Sequence, residues 1–302
     1  MSTSEQTLAN APNNAKGVAF MIVTTIIFAA QDGLSKALAE NHSPILITMW
    51  RYWFFGAVCL IFLWRQGFAK GLKSGQPALQ VYRGVTLALQ ICVAVASFHI
   101  VGLSKTHSIF AFLPLLIVAL SGPVLGEKVG WRRWAAVGVG FLGMMLIIRP
   151  GTETLDWDLA IPLIGMLMFA TYGLATRRVA RTDAAMTSFY YTGVFGALVM
   201  TFIGPWFWTP MNSHDATLMA ILCVSGMIGH FLLIKALEAA EASAIQPFTY
   251  LHTVFAIGVG VTVFGEVISP WTILGCAVVI GAGVFAFWRE AVRAREARRA
   301  AG

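Results

Sequence analysis

The chain has 302 residues, of which 58% are hydrophobic and only 12% are charged. A soluble domain carries about twice that charged share, because its surface must be solvated. The composition therefore excludes an ordinary soluble enzyme, a disordered protein and a disulfide scaffold, and it indicates a polytopic membrane protein. The net charge of +7 comes from short basic clusters between apolar runs. This distribution is typical of membrane loops and not of a nucleic-acid-binding face.

The ends of the chain and its cysteines carry little chemistry. Residues 1–15 are polar and lack the basic and apolar regions of a signal peptide, so we predict a disordered cytoplasmic tail. The four cysteines lie in apolar runs without ligand spacing, and we predict buried packing residues. They are Cys59, Cys92, Cys223 and Cys276.

Ten apolar stretches are long enough to cross a bilayer, which needs about 20 residues of helix. Seven of them are free of charge, and three are long enough once internal or flanking charges are allowed. The sequence predicts an all-α bundle of ten short-linked helices with no separate soluble domain. Helices 1 to 10 are predicted at Gly17–Leu38, Pro44–Trp64, Gly84–Ser104, Thr106–Gly126, Trp134–Ile148, Leu159–Thr176, Ala184–His214, Ala216–Ile234, Ala242–Gly265 and Val267–Trp288.

The basic residues predict the orientation of the bundle. With the N-terminus in the cytoplasm, 16 of the 21 Lys and Arg residues fall on the cytoplasmic side, and only Lys105 and Arg149 fall outside. Cytoplasmic loops of inner-membrane proteins carry such an excess. We therefore predict a multi-pass protein of a bacterial-type inner membrane, with both termini in the cytoplasm.

The two halves of the chain repeat one another. A Glu–Trp–Arg pattern recurs at an offset of 139 or 140 residues, as Glu127, Trp131 and Arg149 and then Glu266, Trp271 and Arg289. We predict two five-helix repeats, residues 16–149 and 150–288, followed by a basic cytoplasmic tail, 289–302. Because five is odd, the repeats have opposite orientation, which is typical of secondary transporters. Small residues in helices 5 and 10 predict close packing or dimerisation.

Several segments carry a resemblance to a known family: GVAFMIVTTIIFAAQDGLSKAL in helix 1, WRYWF in helix 2, LGEKVGWRRWAAVGVGFLGMMLI across helices 4 and 5, and AIQPFTYLHTVFAIGVGVTVFGEVISPWTILGCAVVIGAGV across helices 9 and 10. They resemble the drug/metabolite transporter superfamily, and within it the ten-helix EamA-type members. The resemblance implies a basket-like bundle of two inverted repeats that moves small metabolites. YddG-type exporters of aromatic amino acids are similar in size and layout, whereas other members carry other amino acids, nucleoside-like compounds or vitamins.

Charged residues inside the predicted spans are candidates for transport, because each costs several kcal/mol unless it is paired or faces water. Asp32 and Lys36 share one face of helix 1, and Arg51 lies at a similar depth on helix 2. We predict that Asp32 contacts Arg51. The three residues are either a structural clamp, or a site for the charged ends of a zwitterion or for a coupling proton. Arg83, near the end of helix 3, is expected to snorkel.

Two pairs of residues recur at matched positions in the two halves. Glu127 and Glu266 each follow a glycine at a helix end, and we predict that they cap the next helix and act as gate hinges. Pro114 in helix 4 and Pro247 in helix 9 each free a carbonyl. Interrupted helices at matched places indicate a substrate site, although such prolines are also tolerated in ordinary membrane helices.

Histidine and aromatic side chains complete the set of candidates. His230 and His252 are expected at similar depths, either as packing residues or as a pair that shuttles protons or binds a carboxylate. Deep aromatic residues would suit an apolar side chain or a flat ring. The aromatic candidates are Trp50, Tyr82, Tyr172, Tyr190 and Tyr250.

The chain shows no HExxH, GxSxG or Walker A motif, so we predict no catalytic residue, no cofactor and no metal site. We predict a monomeric or homodimeric exporter of amino acids, with aromatic or bulky apolar ones favoured, that works by alternating access in the lipid bilayer. Proton coupling is left open, and no nucleic-acid partner is expected. The alternatives are a carrier of nucleoside-, vitamin- or S-adenosylmethionine-like metabolites and, less well supported, a polytopic membrane enzyme.

The predicted orientation can be tested with reporter fusions at Gly71 and Gly302. A reporter that works only in the cytoplasm should be active at both positions, because both follow the excess of basic residues. Activity of an externally active reporter at either position would contradict the orientation.

Overall fold

The computed structural model describes residues 14–127, 129–149, 157–240 and 245–301, and every regular element in these ranges is helical. The ten predicted helices are confirmed in this part of the chain. In chain order, helices 1 to 10 span Asn14–Ala39, Pro44–Gln66, Pro77–Ile100, Leu103–Leu125, Trp131–Ile148, Trp157–Val179, Ala185–Phe207, Ser213–Leu237, Gln246–Phe264 and Pro270–Arg289. The predicted disordered tail lies outside the described residues up to residue 13. Helix 10 continues to Ala301 through the predicted basic tail.

Several helix boundaries differ from the sequence prediction, and proline explains the two largest shifts, in helices 3 and 7. Helix 3 begins at Pro77, about two turns before the predicted start, because proline is well suited to the first turn of a helix. Helix 7 does not run on to His214. It tightens into a 3₁₀ turn at Gly204–Phe207, which contains Pro205. A new helix starts at Ser213, where the Asn212 side chain accepts a hydrogen bond from the Asp215 amide at 2.8 Å.

Helices 4 and 9 both depart from regular α geometry. Helix 4 consists of two segments, Leu103–Phe110 and Leu113–Leu125, and Pro114 lies in the first turn of the second segment. Proline offers no N–H to the carbonyl four residues earlier, so it does not continue the first segment. Helix 9 opens with a 3₁₀ turn at Gln246–Thr249, which contains Pro247. The two helices end on glycines with positive φ, Gly126 and Gly265, a conformation in which glycine has no Cβ penalty.

The packing of the helices follows the inverted repeat. The most extensive contacts join helices of different halves, namely 1 with 8, 3 with 6, 2 with 7 and 5 with 10. The contact of helix 1 with helix 8 corresponds to the contact of helix 6 with helix 3 in the other half, whereas the 2–7 and 5–10 contacts each correspond to themselves. The correspondence is incomplete, because helices 2 and 8 pack less extensively than the corresponding helices 7 and 3. The halves therefore interlock along a two-fold arrangement that is open between helices 2 and 8.

Polar contacts tie the loops together at each end of the bundle. The end of the bundle that contains the turn between helices 1 and 2 is here called the Asn41 end. There His42 lies 2.9 Å from the Thr209 hydroxyl and 3.0 Å from the Asp215 carboxylate. At the opposite, Asp183 end, the Asp183 carboxylate accepts hydrogen bonds from Ser74, from the Gly75 amide and from Gln80.

Asp183 also shows what such a loop network does to a carboxyl group. Burial alone would raise the pKa of Asp183, but the hydrogen bonds from Ser74, Gln80 and Gly75 outweigh burial and lower the pKa to about 2. The carboxylate is therefore charged at neutral pH, and it joins the loop between helices 2 and 3 to the one between helices 6 and 7.

The contact between helices 5 and 10 is close enough to require glycine. A Cβ atom on Gly143 would lie 2.9 Å from the carbonyl oxygen of Gly275 and 2.9 Å from a methyl of Val279, whereas a Cβ on Gly138 would meet nothing within 4 Å. Gly143 and Gly275 therefore serve packing within one chain.

We expect Gly143→Ala to destabilise the protein by about 1–3 kcal/mol, because the added methyl overpacks a backbone contact. Gly138→Ala on the same helix is the matched control and should be neutral or slightly stabilising. Thermal unfolding in detergent measures both variants. Equal midpoints for the two would contradict the close contact.

Candidate functional site

Three side chains from three helices meet near the middle of the bundle. Asp32 lies on helix 1, His107 in the last turn of the first segment of helix 4, and His252 in the first α-turn of helix 9. The Asp32 Oδ2 atom lies 2.8 Å from His252 Nε2 and 3.0 Å from His107 Nε2. The centroids of the two imidazole rings are 4.9 Å apart, in an edge-to-face arrangement. We term these residues the Asp32 triad.

His107 is the functional candidate that the sequence analysis missed. It lies beside the predicted start of helix 4 and was not among the candidates. In the structure it is only 3% exposed. Its position about two turns before Pro114 is the signal that could have identified it, because polar residues beside a helix break often form sites.

The predicted contact between Asp32 and Arg51 is wrong. Within the described residues, the Arg51 guanidinium has one hydrogen bond, to the Gln31 side-chain oxygen at 3.4 Å. Consecutive residues on a helix point about 100° apart. Gln31 therefore faces helices 2 and 8, while Asp32 faces helices 4 and 9. Asp32 and Arg51 lie at a similar depth in the membrane, but the Asp32 side chain does not point toward Arg51.

Lys36 lies one turn beyond Asp32 and forms an ion pair with Glu266. The same carboxylate accepts hydrogen bonds from the amides of Leu103 and Ser104, both at 2.7 Å. The expectation that Glu266 caps the next helix is therefore wrong, because it caps helix 4 in the other half of the chain. It satisfies two of the donors that a helix start leaves unpaired. Helices 1, 4 and 9 are thereby tied together at the Asn41 end.

The charge of Glu266 is maintained by these partners. Burial alone would raise the pKa of Glu266, but the interactions with Lys36, Ser104 and Leu103 outweigh burial and lower the pKa below its ordinary value. A lowered carboxyl pKa stabilises the fold at neutral pH, and this stabilisation is lost as the pH falls through that pKa.

Glu127, the counterpart of Glu266, has looser contacts at the Asp183 end. Its carboxylate oxygens lie 3.5 Å from Arg177 and 3.6 Å from Arg181, whose side chains are 42% and 58% exposed. Solvent-exposed pairs of this kind contribute little stability. The two matched glutamates therefore differ, since Glu266 makes partly buried contacts at the Asn41 end and Glu127 makes exposed ones at the Asp183 end.

A succession of rings lies beside the Asp32 triad. The Phe28 ring lies 6.0 Å from His252 and 5.3 Å from His230. The His230 ring stacks at 6.3 Å on Phe55, which lies 4.7 Å from Phe189. His230 is accessible, and the side chains of Asp32 and His252 are 19% and 30% exposed. These rings are here called the central ring cluster, and the His230, Asp32 and His252 side chains beside or within it are partly accessible.

A cavity of about 530 Å³ lies between helices 2 and 8 near the Asn41 end. Trp50 lies in its wall and contacts the rings of Trp53 and Trp208, each with a centroid separation of 5.5 Å. The cavity coincides with the weaker packing between helices 2 and 8, and its lining is almost entirely apolar. Trp50 therefore belongs to this side cavity and not to the central ring cluster.

The four predicted tyrosines do not converge on one wall. Tyr190 donates a hydrogen bond to Gln66 at 2.9 Å, and Tyr250 is buried beside Phe287 of helix 10. Tyr82 is exposed on helix 3. The fourth, Tyr172, contacts the guanidinium of Arg83. Tyr190 adjoins the central ring cluster, since its ring lies 6.4 Å from that of Phe189, whereas no ring contact in the described residues joins the other three to it.

Arg83 does not snorkel, and that expectation is wrong. It is 3% exposed. Its guanidinium donates hydrogen bonds to Thr176 at 2.8 Å, to Gln80 at 2.6 Å and to the Tyr172 hydroxyl at 3.3 Å. Helix 3 begins two turns before its predicted start, which places Arg83 inside the bundle, where it joins helix 3 to helix 6.

Known proteins similar to this chain are transporters. The S-adenosylmethionine uptake transporter of Rickettsia prowazekii is 23% identical over 274 residues, covering 91% of this chain and 93% of the relative. The riboflavin transporter of Rhizobium johnstonii is 26% identical over 304 residues, covering 97% and 98%. The pseudopaline exporter CntI of Pseudomonas aeruginosa is 23% identical over 267 residues, covering 87% and 93%.

Fold and family comparisons agree with these relatives. One crystal structure superposes with a TM-score of 0.63 at 15% identity and covers 91% of this chain and 98% of its own, which shows the same fold. The model of the EamA-like transporter family matches twice, at residues 15–149 and 157–288. Together with the ten membrane-spanning helices, this double match shows that the chain belongs to the EamA-like transporter family and is a multi-pass inner-membrane transporter.

Proposed function

We propose that this transporter carries metabolites that combine a flat ring system with a charged, amino-acid-like end, of the S-adenosylmethionine class. The observation that carries the proposal is the position of the central ring cluster between an acidic group, Asp32, and a basic group, Arg51. The relatives named for S-adenosylmethionine uptake support the same substrate class.

The rings would hold the flat part of the substrate. Phe28, Phe55, His230 and His252 come from four helices and are spaced at 5.3 to 6.3 Å. An aromatic ring that stacks among them would gain about 0.5–1.5 kcal/mol per contact beyond its burial. An adenine ring is flat and uncharged at neutral pH, so it suits this environment.

The charged end of the substrate would use the residues on either side of the rings. A guanidinium has five N–H donors, and Arg51 uses one of them for Gln31 in the described part of the chain. A carboxylate of the substrate can therefore form a bidentate pair with Arg51, through two parallel hydrogen bonds. A cationic group would approach the exposed side of Asp32. Opposite charges on one substrate compensate each other and reduce the cost of desolvation.

Riboflavin is the second candidate, because two relatives that match most of this chain are named riboflavin transporters. A flavin ring would satisfy the central ring cluster, but it has no permanent charge for Asp32 or Arg51. Export of aromatic amino acids stays a prediction, since phenylalanine offers the zwitterion with a single small ring. Proton coupling, the oligomeric state and the cytoplasmic position of the termini also stay predictions.

The two glutamates suit alternating access. Glu266 closes the Asn41 end by capping helix 4 and pairing with Lys36. We propose that Glu127 forms the equivalent closure at the Asp183 end when the transporter opens at the Asn41 end, since inverted repeats exchange their conformations. The exposed contacts of Glu127 with Arg177 and Arg181 suit an end that is less tightly closed in this conformation.

Counterflow in proteoliposomes made from the purified protein tests the substrate class. Labelled S-adenosylmethionine should exchange faster than riboflavin, and both faster than phenylalanine or glutamate, because only the first combines a large ring with both charges. The proposal is wrong if phenylalanine or glutamate exchanges as fast as S-adenosylmethionine.

Arg51→Gln tests the charged end. We expect the KM for S-adenosylmethionine to rise about tenfold, equivalent to about 1.4 kcal/mol, while riboflavin exchange is unchanged. Arg65→Gln is the matched control, because Arg65 is an exposed residue of the same helix. An equal loss for both substrates would show that Arg51 supports the fold and does not bind a carboxylate.

The difference between the two ends can be measured with Glu266→Ala and Glu127→Ala. Removing Glu266 leaves two amides and Lys36 without their partner and should cost about 3 kcal/mol of stability. Removing Glu127 should cost less than about 1 kcal/mol, because its contacts are exposed. Thermal unfolding in detergent compares the two. A larger loss for Glu127→Ala would contradict the assignment of the closed end.

A further inference from the structure

We propose that the Asp32 triad is a binding site for one divalent transition-metal ion of the Zn²⁺ or Co²⁺ type. Asp32, His107 and His252 each offer one ligand atom, and these atoms lie within 4.8 Å of one another. Two imidazoles and one carboxylate are a ligand set that such ions prefer, whereas Mg²⁺ and Ca²⁺ require more oxygen ligands. The three residues come from three helices, so no ligand spacing appears in the sequence.

An unpartnered nitrogen points to a missing ligand. His107 Nε2 is buried and has no hydrogen-bond partner in the described part of the chain, although it lies 3.0 Å from Asp32 Oδ2. The ring is held in place by stacking on Phe98 at 5.4 Å and by the edge of Phe110 at 6.2 Å. A buried polar atom without a partner costs free energy. A metal ion would bind the lone pair of this nitrogen and remove that cost.

The distances are those of a site that needs little adjustment. In a tetrahedral zinc site with bonds of about 2.0–2.1 Å, the ligand atoms lie about 3.3 Å apart. The distances of 2.8 and 3.0 Å from Asp32 are shorter by a few tenths of an ångström, so the side chains must separate slightly. Asp32 and His252 are partly exposed, which leaves a path for the ion and an open fourth position.

The surrounding charges permit a cation at this point. Lys36, one turn away on helix 1, is paired with Glu266. Arg51 on helix 2 is directed to Gln31, and His230 on helix 8 contacts the triad only through Phe28. The nearest carboxylate is that of Asp32 itself. A dication would therefore meet one negative charge and two neutral ligands, a combination found in natural zinc sites.

A bound ion would join the two halves of the transporter. Asp32 and His107 belong to the first half and His252 to the second, and the ion would bridge them beside the break in helix 4. Ligand binding to the folded state alone stabilises that state. The ion would share Asp32 and His252 with the proposed substrate site, so metal binding is tested in the absence of substrate.

Cobalt titration of the metal-stripped, full-length protein, purified without a histidine tag, tests the site. We expect one Co²⁺ per chain, with the visible absorption of a four- or five-coordinate ion, displaced by Zn²⁺ and not by Mg²⁺. Zn²⁺ should also raise the unfolding midpoint. The absence of stoichiometric binding by the folded wild-type protein would overturn the proposal.

Variants locate the ion. His107→Gln and His252→Gln should each weaken binding at least tenfold, and Asp32→Asn should do the same. His230→Gln is the matched control, because it removes an imidazole of the central ring cluster that lies outside the triad. The affinity of this variant for the metal ion should equal that of the wild type. Equal loss in His230→Gln, or wild-type affinity in all three triad variants, would place the ion elsewhere. Metal binding is measured directly and requires no transport assay, so the result is independent of the proposed substrate class.

Discussion

The Glu266 carboxylate is the interaction on which the centre of the bundle depends. The first amides of a helix have no partner within the helix, and Leu103 and Ser104 are buried, so the start of helix 4 needs an acceptor. Glu266 supplies it from the opposite half and also pairs with Lys36. Helices 1, 4 and 9 are thereby held at fixed positions. Asp32, His107 and His252 lie on these same helices, and they meet because the helices are held together.

Features that depend on local pattern could be predicted from the sequence. The ten helices follow from hydropathy and length, and the inverted halves follow from the recurring Glu–Trp–Arg pattern. Hydropathy gives the depth of a residue but not the side of the helix that faces each neighbour. Asp32 and Arg51 were therefore matched by depth, although their side chains point in different directions. His107 was overlooked for the same reason, since only the packing of helix 4 on helices 1 and 9 buries it.

The inverted repeat explains why the site lies between the halves. Helix pairs of different halves form the largest contacts, and a two-fold exchange leaves most of that pattern unchanged. The exceptions are informative. Glu266 makes partly buried contacts at the Asn41 end and Glu127 makes exposed ones at the Asp183 end, while helices 2 and 8 leave a side cavity lined by tryptophans. The proposed alternating access would produce such a difference between a conformation and its own two-fold image.

We propose that the flat part of the substrate binds the rings around Phe28 and Phe55, and not the side cavity at Trp50. Photo-crosslinking with an azido-adenine analogue of S-adenosylmethionine tests this directly, because mass spectrometry identifies the labelled segment. The account predicts competable labelling near Phe28, Phe55 and His230. Competable labelling confined to Trp50, Trp208 and the adjoining part of helix 8 would contradict it.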